Sequence, residues 1–130
     1  MLRNYGGPMP LLQVQNLSVS FTAHRHSVPV LDGVSFALEP GEVVCLVGES
    51  GSGKSVTALS IARLLPSPPA EYTGGSIFLQ GRPILKMSKR ELRTVRGGMV
   101  SYIFQEPGAA LNPVLRVGQQ ILETLQLHRP

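Results

Sequence analysis

The sequence holds a single cysteine, Cys45, among its 130 residues. One thiol excludes an internal disulfide and suits a reducing compartment. Charged residues are also few, at 15% against 42% hydrophobic. That balance excludes a charge-rich disordered chain and allows a packed core. No apolar run reaches the roughly 18 residues that a membrane-spanning helix needs. The opening "MLRNYGGPMP" has no continuous apolar segment of the kind a signal peptide carries. The chain is therefore expected to be cytoplasmic, with residues 1–10 a flexible N-terminus and any membrane attachment supplied by something else. Its length fits one domain at most, on a prior of roughly 100–200 residues per domain. A net charge of +4 permits an anionic partner without requiring one.

Apolar periodicity orders the rest. "LLQVQNLSVSF" (11–21) alternates around a polar turn at Gln15-Asn16 and predicts strand. "TAHRHS" reads as a polar loop. "GVSFALEPGE" alternates at Val34, Phe36 and Leu38 before a Pro40-Gly41 turn. "VVCLV" (43–47) is an unbroken apolar run, which fits a strand buried on both faces of a parallel sheet, with Cys45 a buried, inert thiol. From Ser55 the spacing of Val56, Leu59, Ala62 and Leu64 predicts a helix that Pro66 ends, and "PSPPAEYTGG" reads as loop. "SIFLQGRPIL" predicts a hairpin turning at Gln80-Gly81. "SKRELRTVRGG" carries both helix-end signals: Ser88 and Glu91 as a capping box, and Gly97-Gly98 as the stop. "MVSYIF" (99–104) predicts a second buried strand. After a loop at "QEPGAALNP", a last helix presents Val117, Ile121, Leu122 and Leu125 on one face.

One motif carries chemistry. Gly48-Glu49-Ser50-Gly51-Ser52-Gly53-Lys54-Ser55 matches G-x-x-x-x-G-K-[ST] in full, between an apolar run and a helical pattern. Glycines let the backbone curl and aim several N–H groups at one point. The helix start adds free N–H groups and a positive dipole end. In such a loop Lys54 reaches the β- and γ-phosphates and the Ser55 hydroxyl ligates Mg²⁺. The motif does not separate ATPases, GTPases and kinases. Arg82, Lys86, Lys89, Arg90, Arg93 and Arg96 form a basic set with no interleaved aromatics, which reads as a solvated face with no nucleic-acid partner. His24, His26 and His128 lack companions at ligand spacing and are assigned no metal.

The wider arrangement adds more. "FQEP" follows the loop by some fifty residues, an antiparallel segment ending in "PGE" precedes it, and a hairpin lies between. This arrangement resembles the ATP-binding subunit of ABC transporters. In "GESGSGKSVTALSIARLLP", "RELRTVRG", "FQEP" and "LNPVLRVGQQI" it looks like the dipeptide/oligopeptide importer branch, which also includes nickel and glutathione importers. The resemblance implies an α/β fold: a P-loop NTPase core, with an incomplete parallel sheet and flanking helices, plus an N-terminal antiparallel β segment. It implies a site for ATP and Mg²⁺ running from Gly48 through Val56, with Gln105 as the Q-loop glutamine, a Mg²⁺ ligand and γ-phosphate sensor. Phe21 matches the adenine-stacking aromatic, although an alternating strand explains a core phenylalanine there equally well. "EPGAALNPVLRVG" corresponds to the surface that receives a coupling helix, with Gly108, Ala109 and Ala110 in place of bulkier, more polar residues. The implied partners are membrane-spanning transporter subunits and a second ATP-binding subunit, at the cytoplasmic face of the cell membrane.

Residues 11–130 are expected to be the N-terminal part of such a domain, truncated before its signature motif and Walker B strand. No "LSGGQ"-like segment, Asp-Glu-ended apolar strand or switch histidine is present in the sequence. Phosphoryl transfer needs those parts together. Expected, then, is a chain that binds ATP without efficient hydrolysis, and whose two apolar runs lack neighbours to pair with. A nucleotide-binding or regulatory module that never hydrolyses ATP is the alternative. A small kinase is a third possibility, for which no lid or catalytic set is visible.

Overall fold

The computed structural model describes residues 9–23, 26–106, 108 and 111–128. Most of the N-terminus read as flexible lies outside the described residues, as do His24, Pro107, Ala109, Ala110 and the His128 side chain. The chain divides into two compact units, Met1–Met87 and Ser88–Pro130.

The first unit is built on strand β1, Leu12–Ala23, which pairs antiparallel with β2, His26–Leu38, on one side and β3, Ala70–Leu79, on the other. A two-residue strand β4, Arg82–Pro83, completes the sheet order β2-β1-β3-β4. Leu12, Val14, Leu17 and Val19 of β1 are all buried. Strict alternation would put 12 and 14 on one face and 17 and 19 on the other. Asn16 resolves this: it takes φ +45°, and the β1–β2 register shifts between Val14 and Leu17. The Ser35 hydroxyl accepts from the Asn16 amide at 2.7 Å. What reads in sequence as a turn at Gln15-Asn16 is therefore a bulge inside one strand, and it keeps four apolar residues on one face.

Helix α1, Lys54–Ser60, packs against β2, and Ala62, Leu65, Ile84, Met87 and the β3 residues Ile77 and Leu79 are buried as well. The helix stops before Pro66. Arg63 adopts φ +51°, its amide donates to Ser60 O and the Leu64 amide donates to Leu59 O, which together make a Schellman cap. Arg63 bears this glycine-like conformation while its guanidinium donates to the Met87 carbonyl at 2.8 Å. The hairpin at Gln80-Gly81 is as expected. Both residues take positive φ (50° and 73°), the type I′ geometry that matches strand twist. The Pro40-Gly41 turn also forms, closed by Glu42 N donating to Glu39 O.

In the second unit, helix α2 (Lys89–Val95) has the full capping box. The Glu91 amide donates to Ser88 Oγ at 3.3 Å and the Ser88 amide donates to Glu91 Oε2 at 2.8 Å. Gly97 follows at φ +83°. Leu92 and Val95 are buried while Lys89 and Arg93 are exposed. Replacing Ser88 by alanine should weaken α2 by about 1 kcal/mol. Hydrogen exchange should then read about fivefold faster at the Leu92 and Arg96 amides, with the β1–β3 amides unchanged. Helix α3, Val117–His128, forms as expected, and its Val117, Ile121, Leu122 and Leu125 are exposed.

Four expectations are overturned. Residues 43–47 form no strand, and Val43 and Val47 are 88% and 92% exposed. Cys45 is exposed, not buried. Residues 101–104 likewise form no strand, with only an isolated parallel bridge between Arg96 and Val100. Every strand pairing in the described sheet is antiparallel, so the expected parallel sheet is not formed among the described residues. One physical reason covers these four: a strand is stable only when neighbours take its backbone N–H and C=O groups, and no described segment does so here. A fifth correction is the opposite kind. Residues 70–75, read as loop, are the first half of β3.

Candidate phosphate-binding site

Residues 48–53 make a curled loop that ends at the start of α1. Gly51 and Gly53 take φ of +82° and +85°, a region open to glycine at little cost. Ser52 N donates to Glu49 O at 3.2 Å, which closes a tight turn over Ser50 and Gly51. A Cβ on Gly48 would lie 2.7 Å from Ser52 Oγ, so the two ends of the curl approach closely. Gly53 is the N-cap of α1 and offers no side-chain cap. The first intrahelical bond is Thr57 N to Gly53 O. The amides of Lys54, Ser55 and Val56 therefore precede the hydrogen-bonded ladder and remain available to an anion.

Lys54 turns back over the loop. Its ammonium donates to the carbonyls of Gly48 at 2.8 Å and Glu49 at 2.6 Å, and to Ser52 Oγ at 3.3 Å. The curl thus carries one positive charge, and the helix start that follows it has three free amides. Ser55 is exposed, with no hydrogen-bond partner for its hydroxyl among the described residues. An unengaged hydroxyl is a hard oxygen donor that suits Mg²⁺, which keeps most of its shell as water and phosphate oxygens. The residues present therefore fit a phosphate chain and its cation. Lys54 and the amides of 54–56 would hold the phosphates, and Ser55 the Mg²⁺, whose charge would offset that of the phosphate oxygens.

Phe21 is half-buried on β1, paired with Val28 on one side and Ala70 on the other. It belongs to the same unit as the loop. Gln105 lies in the second unit, exposed in a bend after residues 101–104. In that unit Gln120 holds the segment before α3: it accepts from the Asn112 amide at 2.9 Å and donates to the Asn112 and Leu115 carbonyls at 3.1 Å each.

Sequence reasoning missed Leu31. A Cβ on Gly53 would meet Leu31 Cδ2 at 2.5 Å and the Val30 carbonyl at 3.2 Å, so β2 presses directly on the last glycine of the loop. The available signal was "VPVLDG", an apolar stretch ended by a turn-forming Asp-Gly pair, but nothing local says what that stretch faces.

A curled Gly-rich loop leading into a helix, with its lysine folded over it, defines a nucleotide-phosphate-binding class of domain. The model of the ABC transporter family matches residues 31–128. The chain belongs to the ABC transporter family. It is 52% identical over 119 residues to the uncharacterized ABC transporter ATP-binding protein YejF of Escherichia coli (strain K12), covering 92% of this chain and 22% of that one. It is 48% identical over 119 residues to the dipeptide transport ATP-binding protein DppD of Bacillus subtilis (strain 168), covering 92% and 36%. With the oligopeptide transport ATP-binding protein OppD of the same organism it shares 43% over 118 residues, 91% and 33% of the two chains. The chain thus spans between about a fifth and a third of the length of these relatives. No helix among the described residues is long and apolar enough to cross a membrane.

Proposed function

We propose that this chain is the phosphate-holding part of an ATP-binding component of an ABC importer, acting at the cytoplasmic face of the cell membrane. The whole protein would couple ATP binding and hydrolysis to uptake of peptides or a similar small solute. The observation that carries this reading is the loop itself: positive-φ glycines, three uncommitted amides and the Lys54 ammonium lie within the segment that matches the family. Support for the peptide class comes from the names of the relatives, two of which are dipeptide and oligopeptide transport ATP-binding proteins.

ATP and Mg²⁺ are the ligands of this reading. Residues 48–56 form the phosphate site, with Lys54 and the free amides of 54–56 as its donors, Ser55 and Gln105 ligate the metal, and Phe21 stacks on the adenine. Membrane-spanning subunits and a second ATP-binding subunit are the partners, with no nucleic acid. Residues 11–130 supply the segment from the antiparallel sheet to the first helix beyond Gln105. Groups that would orient water for hydrolysis are not among these residues, so the chain by itself binds ATP without efficient turnover.

Titration of the chain with a fluorescent ATP analogue, with and without Mg²⁺, tests this. Saturable binding that ATP and ADP displace, and AMP displaces far less, is the expected result. Absence of binding, or displacement by AMP as good as by ATP, would overturn it. The alternative module that never hydrolyses ATP separates from this reading when the later segment of a relative is added in trans. Restored ATP turnover supports the importer ATPase, and binding without turnover supports the module.

A further inference from the structure

We infer that Leu31 is a positioning residue for the phosphate loop, setting the place of Gly53 and, through it, of the amides that face the nucleotide. This rests on the reading of the loop as the nucleotide site.

Leu31 is the only buried residue of the thirteen in β2, at 4% exposed. Its place in the register is unusual. β1 and β2 slip by one residue between the pairs Leu17–Val34 and Val19–Leu31, and again between Val19–Leu31 and Ser20–Pro29. Each slip adds a residue on the β2 side, so Leu31 stands between two irregularities. Irregularities of this kind bend a strand and re-aim side chains. One is held open by Gly33, at φ +63°, whose amide donates to Ser18 Oγ at 3.1 Å. The side chain so aimed ends against Gly53, where a Cβ would stand 2.5 Å from Leu31 Cδ2. The Val30 carbonyl, 3.2 Å from the same point, is backbone and cannot turn aside. Gly53 is thus braced from behind by β2, while its own positive φ opens α1 on the other side.

Bracing matters because the loop works by the aim of backbone amides, and small displacements of aimed groups have large effects on binding. No side chain caps α1, so nothing else at the Gly53 N-cap corrects a shift. The same strand pair also carries Phe21, two residues along β1 from the Val19 that faces Leu31. Sheet irregularity and phosphate geometry are in this way one construction.

Leu31→Val removes the δ-methyl groups that reach Gly53 while keeping a good strand former. Leu31→Met keeps an apolar reach of similar length. The expected result is an ATP Kd weakened about tenfold in the valine variant at unchanged binding stoichiometry, with the methionine variant within about twofold of the parent. A purely structural role would instead lower the stoichiometry, by unfolding part of the sample, and leave the Kd alone. An unchanged Kd in the folded valine variant, or equal weakening in both variants, overturns the inference. Hydrogen exchange without nucleotide gives an independent reading. The hydrogen-bonded amides of Ser52 and Thr57, which donate to Glu49 O and Gly53 O, should exchange faster in Leu31→Val while those of β3 do not. If the parent chain fails to bind ATP but this exchange pattern holds, the nucleotide reading has failed and the bracing stands. If ATP binds and the loop amides are unaffected, the bracing has failed and the nucleotide reading stands.

Discussion

Replacing Lys54 by alanine should lower ATP affinity on the order of 100-fold, since a charge-assisted contact to phosphate is worth about 1.5–3 kcal/mol and tenfold corresponds to about 1.4. An ammonium has three donors. Here two go to the Gly48 and Glu49 carbonyls at 2.8 and 2.6 Å, and the third reaches Ser52 Oγ at only 3.3 Å. The two short bonds fix where the charge sits before any ligand arrives. The long one is the weakest, and a phosphate oxygen can replace it without disturbing the others. The charge is therefore pre-placed, and binding need not order it. Its removal should hardly affect folding, because Gly48 and Glu49 are exposed and water can take over their carbonyls. Thermal unfolding within about 0.5 kcal/mol of the parent, together with the large loss in a fluorescent-ATP displacement assay, is the expected pair of results. Unchanged ATP affinity would show that the loop is not the phosphate site.

Gly75→Ala should have the opposite profile, with the sheet lost before any ligand is added. Gly75 takes φ +82° in β3. A Cβ there would overlap the carbonyl oxygens of Gln15 and Asn16 and the Asn16 carbonyl carbon. These are backbone atoms of the β1 bulge, so no rotamer change relieves the contact. The left-handed conformation costs a residue with a Cβ about 1–2 kcal/mol, and overpacking typically adds about 1–3. A total of about 2–5 kcal/mol is a large share of the 5–15 that a domain usually has. Far-UV circular dichroism should show the β signal melting at much lower temperature or absent in the variant. A melting curve equal to that of the parent would mean that β3 does not pair with the bulge as described.

These two residues also mark what could be read from sequence. Lys54 and its loop were legible because their chemistry is contiguous: residue types, spacing and flanking pattern all fall within 48–56. The Gln80-Gly81 turn and the Ser88–Glu91 capping box were legible for the same reason. Gly75 was not. A Gly pair after a proline-rich stretch looks like a strand breaker, and its purpose shows only when β1 is laid beside it and the bulge at Asn16 needs room. Asn16 itself looked like a turn because a bulge and a turn share residue preferences, and only pairing on both sides tells them apart. The runs at 43–47 and 99–104 failed in the other direction. Their composition states that they suit burial, but burial depends on neighbours that no local pattern can supply. Leu31 combines both problems, being an ordinary apolar strand residue until the register slips around it are known.

Cys45, exposed within the apolar stretch just before Gly48, makes the chain self-reporting. It is the only thiol in the sequence, so alkylation reads a single position without any engineered label. On the reading proposed above, a strand laid beside residues 43–47 would take up the backbone on either side of this sulfur. A fall in the rate at which a maleimide reaches Cys45 would then report such pairing, three residues before the loop that begins at Gly48.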